Sequence, residues 1–463
     1  MTQCHISSKL LIENCPNEII TWAHQNLEYD NPEFYKAQRM NKWTGNIPEQ
    51  IVLWERIGSG LVLPYGVCRE LFQRFGGMLQ AIPHMSIGER IDYQSHIQLY
   101  DYQEWAVRQA QQNPNGVIVM PCGAGKTQTA LELISRIGLR TLWITHTHEL
   151  LNQSKKRAED CFGINPDTMG TITSGKIDVG TSITFGTVQT LVSVDLKDYK
   201  DYWDVIVVDE CHKAVGTPTK LMMFYKVVSQ LNAMYKIGIT ATPKRSDGLE
   251  RSMFALLGEP ICEIPQSAVN SHTVPVMVQR IDTEYYPNIQ NPKIFNMDGT
   301  LNYVGLTNEI CADSERNALI CDVLSRLDSP CLVLSDRVEH LKQLQSMLGE
   351  GVVISSQDVK KADRENRKQS MGMLNSGRIR YLFATYQLAK EGLDIPTLKY
   401  VAFTTPKKDN ITVIQASGRV SRQAPGKTQG CVLDFVDSRF SMLDNYWKCR
   451  QRIYRSKKYK IVQ

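Results

Sequence analysis

The run MPCGAGKTQTA at residues 120–130 follows directly on the apolar stretch GVIVM and leads into a helical pattern. Glycines at 123 and 125 allow a backbone to turn its N–H groups inward around phosphate oxygens, and the helix that begins there adds the positive end of its dipole. Lys126 then supplies a point charge to the terminal phosphates, and the Thr127 hydroxyl can ligate Mg²⁺. Gly123, Ala124, Gly125, Lys126, Thr127 and Gln128 therefore form a candidate cradle for ATP. The general pattern has glycine where this chain has Met120. A second run, VIVVDECHKA at 205–214, ends four β-branched residues on two adjacent carboxylates. A strand followed by a solvated turn explains such a pair taken alone. With a phosphate loop upstream, Asp209 becomes a holder of Mg²⁺ and Glu210 the acid that orients the attacking water. Both belong at the carboxyl end of a central strand, where a doubly wound sheet opens its ligand crevice.

Such positions require parallel strands joined by crossover helices. From about residue 96, GVIVM, RTLWI, SITF, VIVV and KIGIT alternate with polar or helical stretches, as buried parallel strands do. A polar stretch at 282–303, carrying Pro, Asn and Gly, interrupts the rhythm and reads as a linker with an inserted loop. CLVLS, GVVIS, YLFAT, YVAFT and GCVLDF then resume it. The expected fold class is α/β, with two tandem doubly wound parallel-sheet domains over 96–281 and 304–440. Residues 1–95 read as a small α+β domain: KLLIENC as a strand, NEIITWAHQNL and VCRELFQRFG as helices, and a hairpin turning at Gly58-Ser59-Gly60. With eight basic and ten acidic residues it shows no strong basic patch, and a grip on duplex DNA is one role open to it.

At 463 residues the chain exceeds one ordinary core, and 42% hydrophobic with 22% charged residues is a globular composition. No apolar run approaches the ~18 residues that span a bilayer, and the N-terminal stretch lacks the apolar core of a signal peptide, so a cytosolic protein without membrane contact is expected. The twelve cysteines form no C-x-x-C pair and the nine histidines no H-E-x-x-H, which leaves Mg²⁺ with its nucleotide as the expected metal chemistry. Net charge is +5, but 447–463 carries seven cations and no acid, which leaves −2 for the rest. Residues 441–463 thus read as a basic aromatic tail, open to phosphate contact and base stacking or to plain solvation.

GAGKT, DECH after an apolar strand, ITATPKR (239–245), EGLDIP (391–396) and QASGRVSR (415–422) occur in the order and spacing of superfamily 2 helicases, which the chain resembles over about 96–435. It is similar to the DNA-directed branch that includes XPB and the phage helicase UvsW. DEAD-box RNA helicases usually carry S-A-T where this chain has Thr240-Ala241-Thr242. The resemblance implies two RecA-like domains sharing one nucleotide. It implies that Gln103 reads adenine, that Arg419 and Arg422 come from the second domain to the γ-phosphoryl group, that Gln415 helps position water and that Asp394 senses the nucleotide. Thr240 and Thr242 would couple ATP state to domain closure. Strand contacts are implied in THTHELLNQ (145–153), GTVQTL (186–191), SDR (335–337) and ATYQ (384–387), with Thr145, His146, Thr187 and Thr385 as the named candidates. The expected function is an ATP-dependent DNA helicase or translocase on branched DNA, in repair, recombination or replication. An RNA helicase, a duplex translocase serving a partner nuclease and a non-catalytic binding scaffold are the alternatives; protein partners are not encoded in any motif.

Overall fold

The computed structural model describes the chain except for residues 215–222, 245–247, 270–271, 356–360, 391–392, 394 and 463. It divides into two compact units, one of Met1–Pro121 and Gly125–Pro265, the other of Gln266–Gln463 with Cys122–Ala124. In the first unit, β1 (Thr2–Ile6) and β2 (Lys9–Ile12) are followed by a short ribbon, β3 (Glu28–Asp30) with β4 (Gln50–Val52), and by β5 (Glu55–Ile57), β6 (Gly60–Pro64) and β7 (Leu79–Pro83). The sheet order is β5-β6-β2-β1-β7. Ile57 pairs with Gly60 around a turn whose Gly58 has φ +60°, a left-handed conformation that suits glycine. Helix Asn17–Leu27 buries Ile19, Trp22, Ala23 and Leu27, the i, i+3, i+4 spacing of one apolar face, against this sheet's core.

That sheet is fastened to the rest of its unit. The Tyr65 hydroxyl donates to Met234 O at 2.8 Å, Asn115 Nδ2 donates to Gly66 O at 3.0 Å, and the Ser8 amide donates to Asn232 Oδ1 at 2.8 Å. Lys236 is fully buried here, its ammonium 4.5 Å from the centre of the Tyr65 ring, and burial pushes its pKa down to about 7.

The second sheet contains β8 (Asn115–Val119), β9 (Thr141–Thr145), β10 (Met169–Thr173), β11 (Lys176–Asp178), β12 (Ile183–Thr187), β13 (Val205–Asp209), β14 (Tyr235–Thr240) and β15 (Pro260–Glu263), in the order β11-β10-β12-β9-β13-β14-β8-β15. All its pairings are parallel except β10 with β11. Every residue of β8, β9, β12 and β13 is buried, which is why these strands read as continuous apolar runs. Because β14 lies between β8 and β13, the loop after β8 and the acids after β13 leave the same end of the sheet one strand apart.

In the second unit β16 (Val276–Asp282), β17 (Cys331–Ser335), β18 (Val352–Ile354), β19 (Tyr381–Thr385), β20 (Tyr400–Phe403), β21 (Gly430–Val436) and β22 (Lys460–Val462) form an all-parallel sheet, order β18-β19-β17-β20-β21-β16-β22. Alternate residues serve opposite faces. Leu332, Leu334, Leu382 and Ala384 enter one core, and Cys331, Val333, Tyr381 and Phe383 the other, so both faces are covered. The α/β class with two parallel-sheet domains is as expected from the sequence.

Three boundaries differ from the sequence reading. The strand 276–282, assigned there to the first domain, runs between β21 and β22 in the second sheet. The stretch 282–303 is not a linker: Tyr285 and Ile294 share a core with Leu306, Ile310 and Leu443, and Glu309 accepts from the Tyr285 hydroxyl at 3.1 Å and from the Asn288 amide at 2.6 Å. Its polar composition marks a surface excursion held by hydrogen bonds. Residues 441–463 are not a tail, since helix Ser441–Ser456 buries Leu443, Trp447, Arg450, Ile453 and Tyr454 and β22 closes the sheet edge. No helix among the described residues is long and apolar enough to cross a membrane.

Candidate nucleotide site and nucleic-acid face

The loop after β8 is built on two left-handed glycines, Gly123 at φ +82° and Gly125 at φ +72°, the latter capping helix Lys126–Ile137. A Cβ at Gly125 would lie 2.4 Å from Gln103 Nε2 and displace that side-chain amide, while the left-handed φ is what favours glycine there. Met120, the departure from the usual loop pattern, is fully buried. Gln103 is 1% exposed; its Oε1 accepts from the Tyr100 amide at 2.9 Å and its Nε2 donates to Gly125 O at 3.5 Å. Ala124 is buried, and Thr127 and Gln128 lie half-buried in the first helical turn.

Asp209 closes β13 and Glu210 follows at φ +50°, a strained value for a non-glycine residue that turns its carboxylate back toward the loop. Lys126 Nζ is 3.8 Å from Glu210 Oε1. Burial and then the neighbouring Glu210 charge push the Asp209 carboxyl up. Burial would also raise Glu210, but Lys126 and His212 outweigh it and hold that carboxyl below the usual range. An acid held ionised beside a lysine, next to a carboxylate whose charge a cation would favour, is a donor set that fits a phosphate chain with Mg²⁺ at Thr127 and Asp209.

His212 was not singled out by the sequence, although it stands two residues from Glu210. It is 1% exposed, with Nδ1 3.3 Å from Glu210 Oε2 and 3.0 Å from Thr240 Oγ1. Thr240, at the end of β14, also accepts from the Thr242 amide at 3.1 Å. Lys126, Glu210, His212, Thr240 and Thr242 thus form one connected polar path in the first unit. In the second unit Gln415, Arg419 and Arg422 fall on helix Asn410–Ser417 and the turn Gly418–Ser421 with its cap. Gln415 is 8% exposed. Arg419 donates through Nη1 to Leu393 O at 2.8 Å and through Nη2 to Ala389 O at 2.9 Å, so its guanidinium braces its own unit. Asp394 lies outside the described residues.

The strand-contact candidates separate. Thr145 and Thr187 are both buried at strand ends and spend their hydroxyls locally, on Thr147 O at 3.1 Å and on Thr190 Oγ1 at 3.1 Å. His146 is half-buried; burial, reinforced by Lys213, pushes its pKa down to about 4. Thr173 and Ser174, which the sequence reading passed over, place hydroxyls 2.7 and 3.3 Å from the His148 ring. Thr385 is half-buried in the wall of a cavity of about 700 Å³ in the second unit, with Asn308, Arg337, Tyr386 and Gln387.

Comparison with known proteins agrees with this layout. Residues 96–245 match the family described as the type III restriction enzyme res subunit, and residues 315–424 match the helicase conserved C-terminal domain. A protein named as helicase 22 of Sulfolobus islandicus filamentous virus is 26% identical over 352 residues, 70% of this chain and 60% of its own. A protein of Acanthamoeba polyphaga mimivirus, named as an ATP-dependent RNA helicase, is 25% identical over 77% of this chain and 66% of its own. The chain therefore spans just under two thirds of these relatives. The DNA 3'-5' translocase XPB2 of Sulfurisphaera tokodaii is 31% identical over 36% of this chain and 35% of its own. Among solved structures, S. cerevisiae Dbp5 bound to RNA and ADP BeF3 superposes with a TM-score of 0.58 at 15% identity over 79% of this chain and 90% of that one, a likeness of fold.

Proposed function

We propose that this chain, which belongs to the superfamily 2 helicases, is an ATP-driven motor that moves along DNA and acts on branched substrates such as forks and recombination intermediates. The observation that carries the reading is the path from Lys126 through Glu210 and His212 to Thr240. A motor must report the state of its phosphate site to the elements that grip a strand, and this path joins the hydrolytic acid to the loop after β14. Glu210 would orient the attacking water, Lys126 would neutralise phosphate charge, and Thr127 and Asp209 would hold Mg²⁺, which supplies further neutralisation when bound. Arg422 would stabilise charge on the γ-phosphoryl group, with Gln415 and Asp394 acting from the same unit.

A second reading, movement along duplex without strand separation, is favoured by the match of 96–245 to a restriction-enzyme subunit. ATP turnover at one salt concentration, without nucleic acid and then with single-stranded DNA, duplex, a four-way junction and structured RNA, separates these readings, with Glu210→Gln as the blank. Strongest stimulation by the junction supports the branched-DNA motor. Equal stimulation by plain duplex moves the chain to translocation, and stimulation by RNA alone overturns the DNA assignment.

A further inference from the structure

Residues 445–463 hold seven cations and no acid, and the structure divides those cations into two sets. Arg450 belongs to the core: it is 2% exposed and donates to the two Asp434 oxygens at 2.8 and 2.7 Å and to Lys407 O at 2.7 Å. Lys457 donates to Gln266 Oε1 at 3.2 Å, and Lys448 pairs with Asp444 at 2.8 Å. Arg452, Arg455, Lys458 and Lys460 are all exposed, and no ion pair among the described residues takes any of them. On helix Ser441–Ser456, Lys448, Arg452 and Arg455 recur at i, i+4 and i+7 on the side opposite Trp447, Arg450 and Tyr454, a row about 10 Å long. Lys458 and Lys460 extend the cationic stretch beyond it.

The aromatic residues of the same stretch face the other way. Trp447 and Tyr454 are buried, half-buried Tyr446 packs on Tyr303 with ring centres 6.0 Å apart, and half-buried Tyr459 packs on Tyr454 with ring centres 6.3 Å apart. A single-strand site interleaves cations with exposed rings on which bases stack. Here every ring packs against another aromatic side chain, and the exposed large side chains of the stretch are cations.

We propose that the outer face of helix Ser441–Ser456, continued by Lys458 and Lys460, is a contact surface for the phosphate backbone of double-helical nucleic acid, outside the motifs that grip the translocated strand. It rests on the reading of the chain as a nucleic-acid motor. It gives that motor a sequence-independent hold on the duplex arm of a branched substrate.

The test uses the full chain with four neutralising changes, R452Q, R455Q, K458Q and K460Q. The control removes four exposed cations elsewhere, K197Q, K200Q, R326Q and K342Q. Binding of a blunt duplex and of a single strand is measured across a salt series, with nucleic-acid-free ATP turnover and Tm recorded for each protein. The expected result is a duplex salt slope shallower by about 0.9 for each phosphate that the variant no longer neutralises, and duplex affinity down roughly tenfold or more at low salt. Single-strand affinity, basal turnover and the control protein should stay near wild type. A duplex slope equal to wild type overturns the surface while leaving the motor reading intact, and so does an equal flattening in the control. Wild-type protein that binds no nucleic acid overturns both, and binding to anionic phosphatidylserine vesicles in place of duplex shows a lipid-facing surface instead.

Discussion

His212→Ala is the most informative single change. The side chain is 1% exposed and joins Glu210 Oε2 at 3.3 Å to Thr240 Oγ1 at 3.0 Å. Truncation removes the hydrogen bond to the neutral Thr240 hydroxyl, worth about 0.5–1.5 kcal/mol, and one polar neighbour of a buried carboxylate. If that energy is expressed in the step coupling hydrolysis to grip, nucleic-acid-stimulated kcat falls roughly 2- to 12-fold at 1.4 kcal/mol per tenfold. ATP affinity should change much less, because Lys126 and the glycine loop do not depend on the imidazole. Thr240→Val removes that bond from the other side, together with the acceptor of the Thr242 amide, keeps the side-chain volume, and should lower stimulated turnover in the same direction. In the cycle of single and double variants the second change should then cost little once the first is made. The assay is steady-state ATP turnover against nucleic-acid concentration. Unaltered stimulation in His212→Ala, or effects of the two changes that simply add, would refute the coupling path.

Arg422→Ala should lose most of kcat while ATP affinity falls less, whereas Arg419→Ala should also lower Tm, because it leaves the carbonyls of Leu393 and Ala389 without their donor at a cost of about 1–3 kcal/mol; equal Tm for the two variants would remove Arg419 from its bracing role. Trp447→Ala should destabilise the second unit by about 3–5 kcal/mol, measured by denaturant titration, since the ring is 2% exposed within the sheet core; a change under about 1 kcal/mol would restore the view of 441–463 as an appended tail. Lys236 has a folded pKa near 7, below its unfolded value. The unfolded chain therefore binds more protons between about pH 7 and 10, and this group's contribution to stability rises with pH through that window. Lys236→Met should be more stable than wild type at pH 7, with the advantage shrinking toward pH 9.5. A Tm difference independent of pH would show that the lysine does not titrate there.

Motifs of local chemistry were legible in the sequence. The glycines at 123 and 125, Lys126 and the Asp209–Glu210 pair announce themselves because a phosphate cradle needs particular backbone angles and charges within a few residues. The ten apolar runs that became strands of the two parallel sheets were legible because strands buried on both faces have almost no polar positions. The membership of β16 was not, since Val276–Asp282 pairs with strands more than a hundred residues away and register at that distance leaves no local trace. The roles of the basic stretch were equally hidden. Spacing alone places Arg450 and Arg452 in one cationic run, and only packing sends one to Asp434 and the other to solvent. His212 was visible as a letter and invisible as a link, because its partner Thr240 comes from a neighbouring strand. What the sequence determined by itself is the chemistry that contiguous residues can carry. The tertiary structure decided which side chains stand together, since burial and hydrogen bonding are settled between segments distant in the chain.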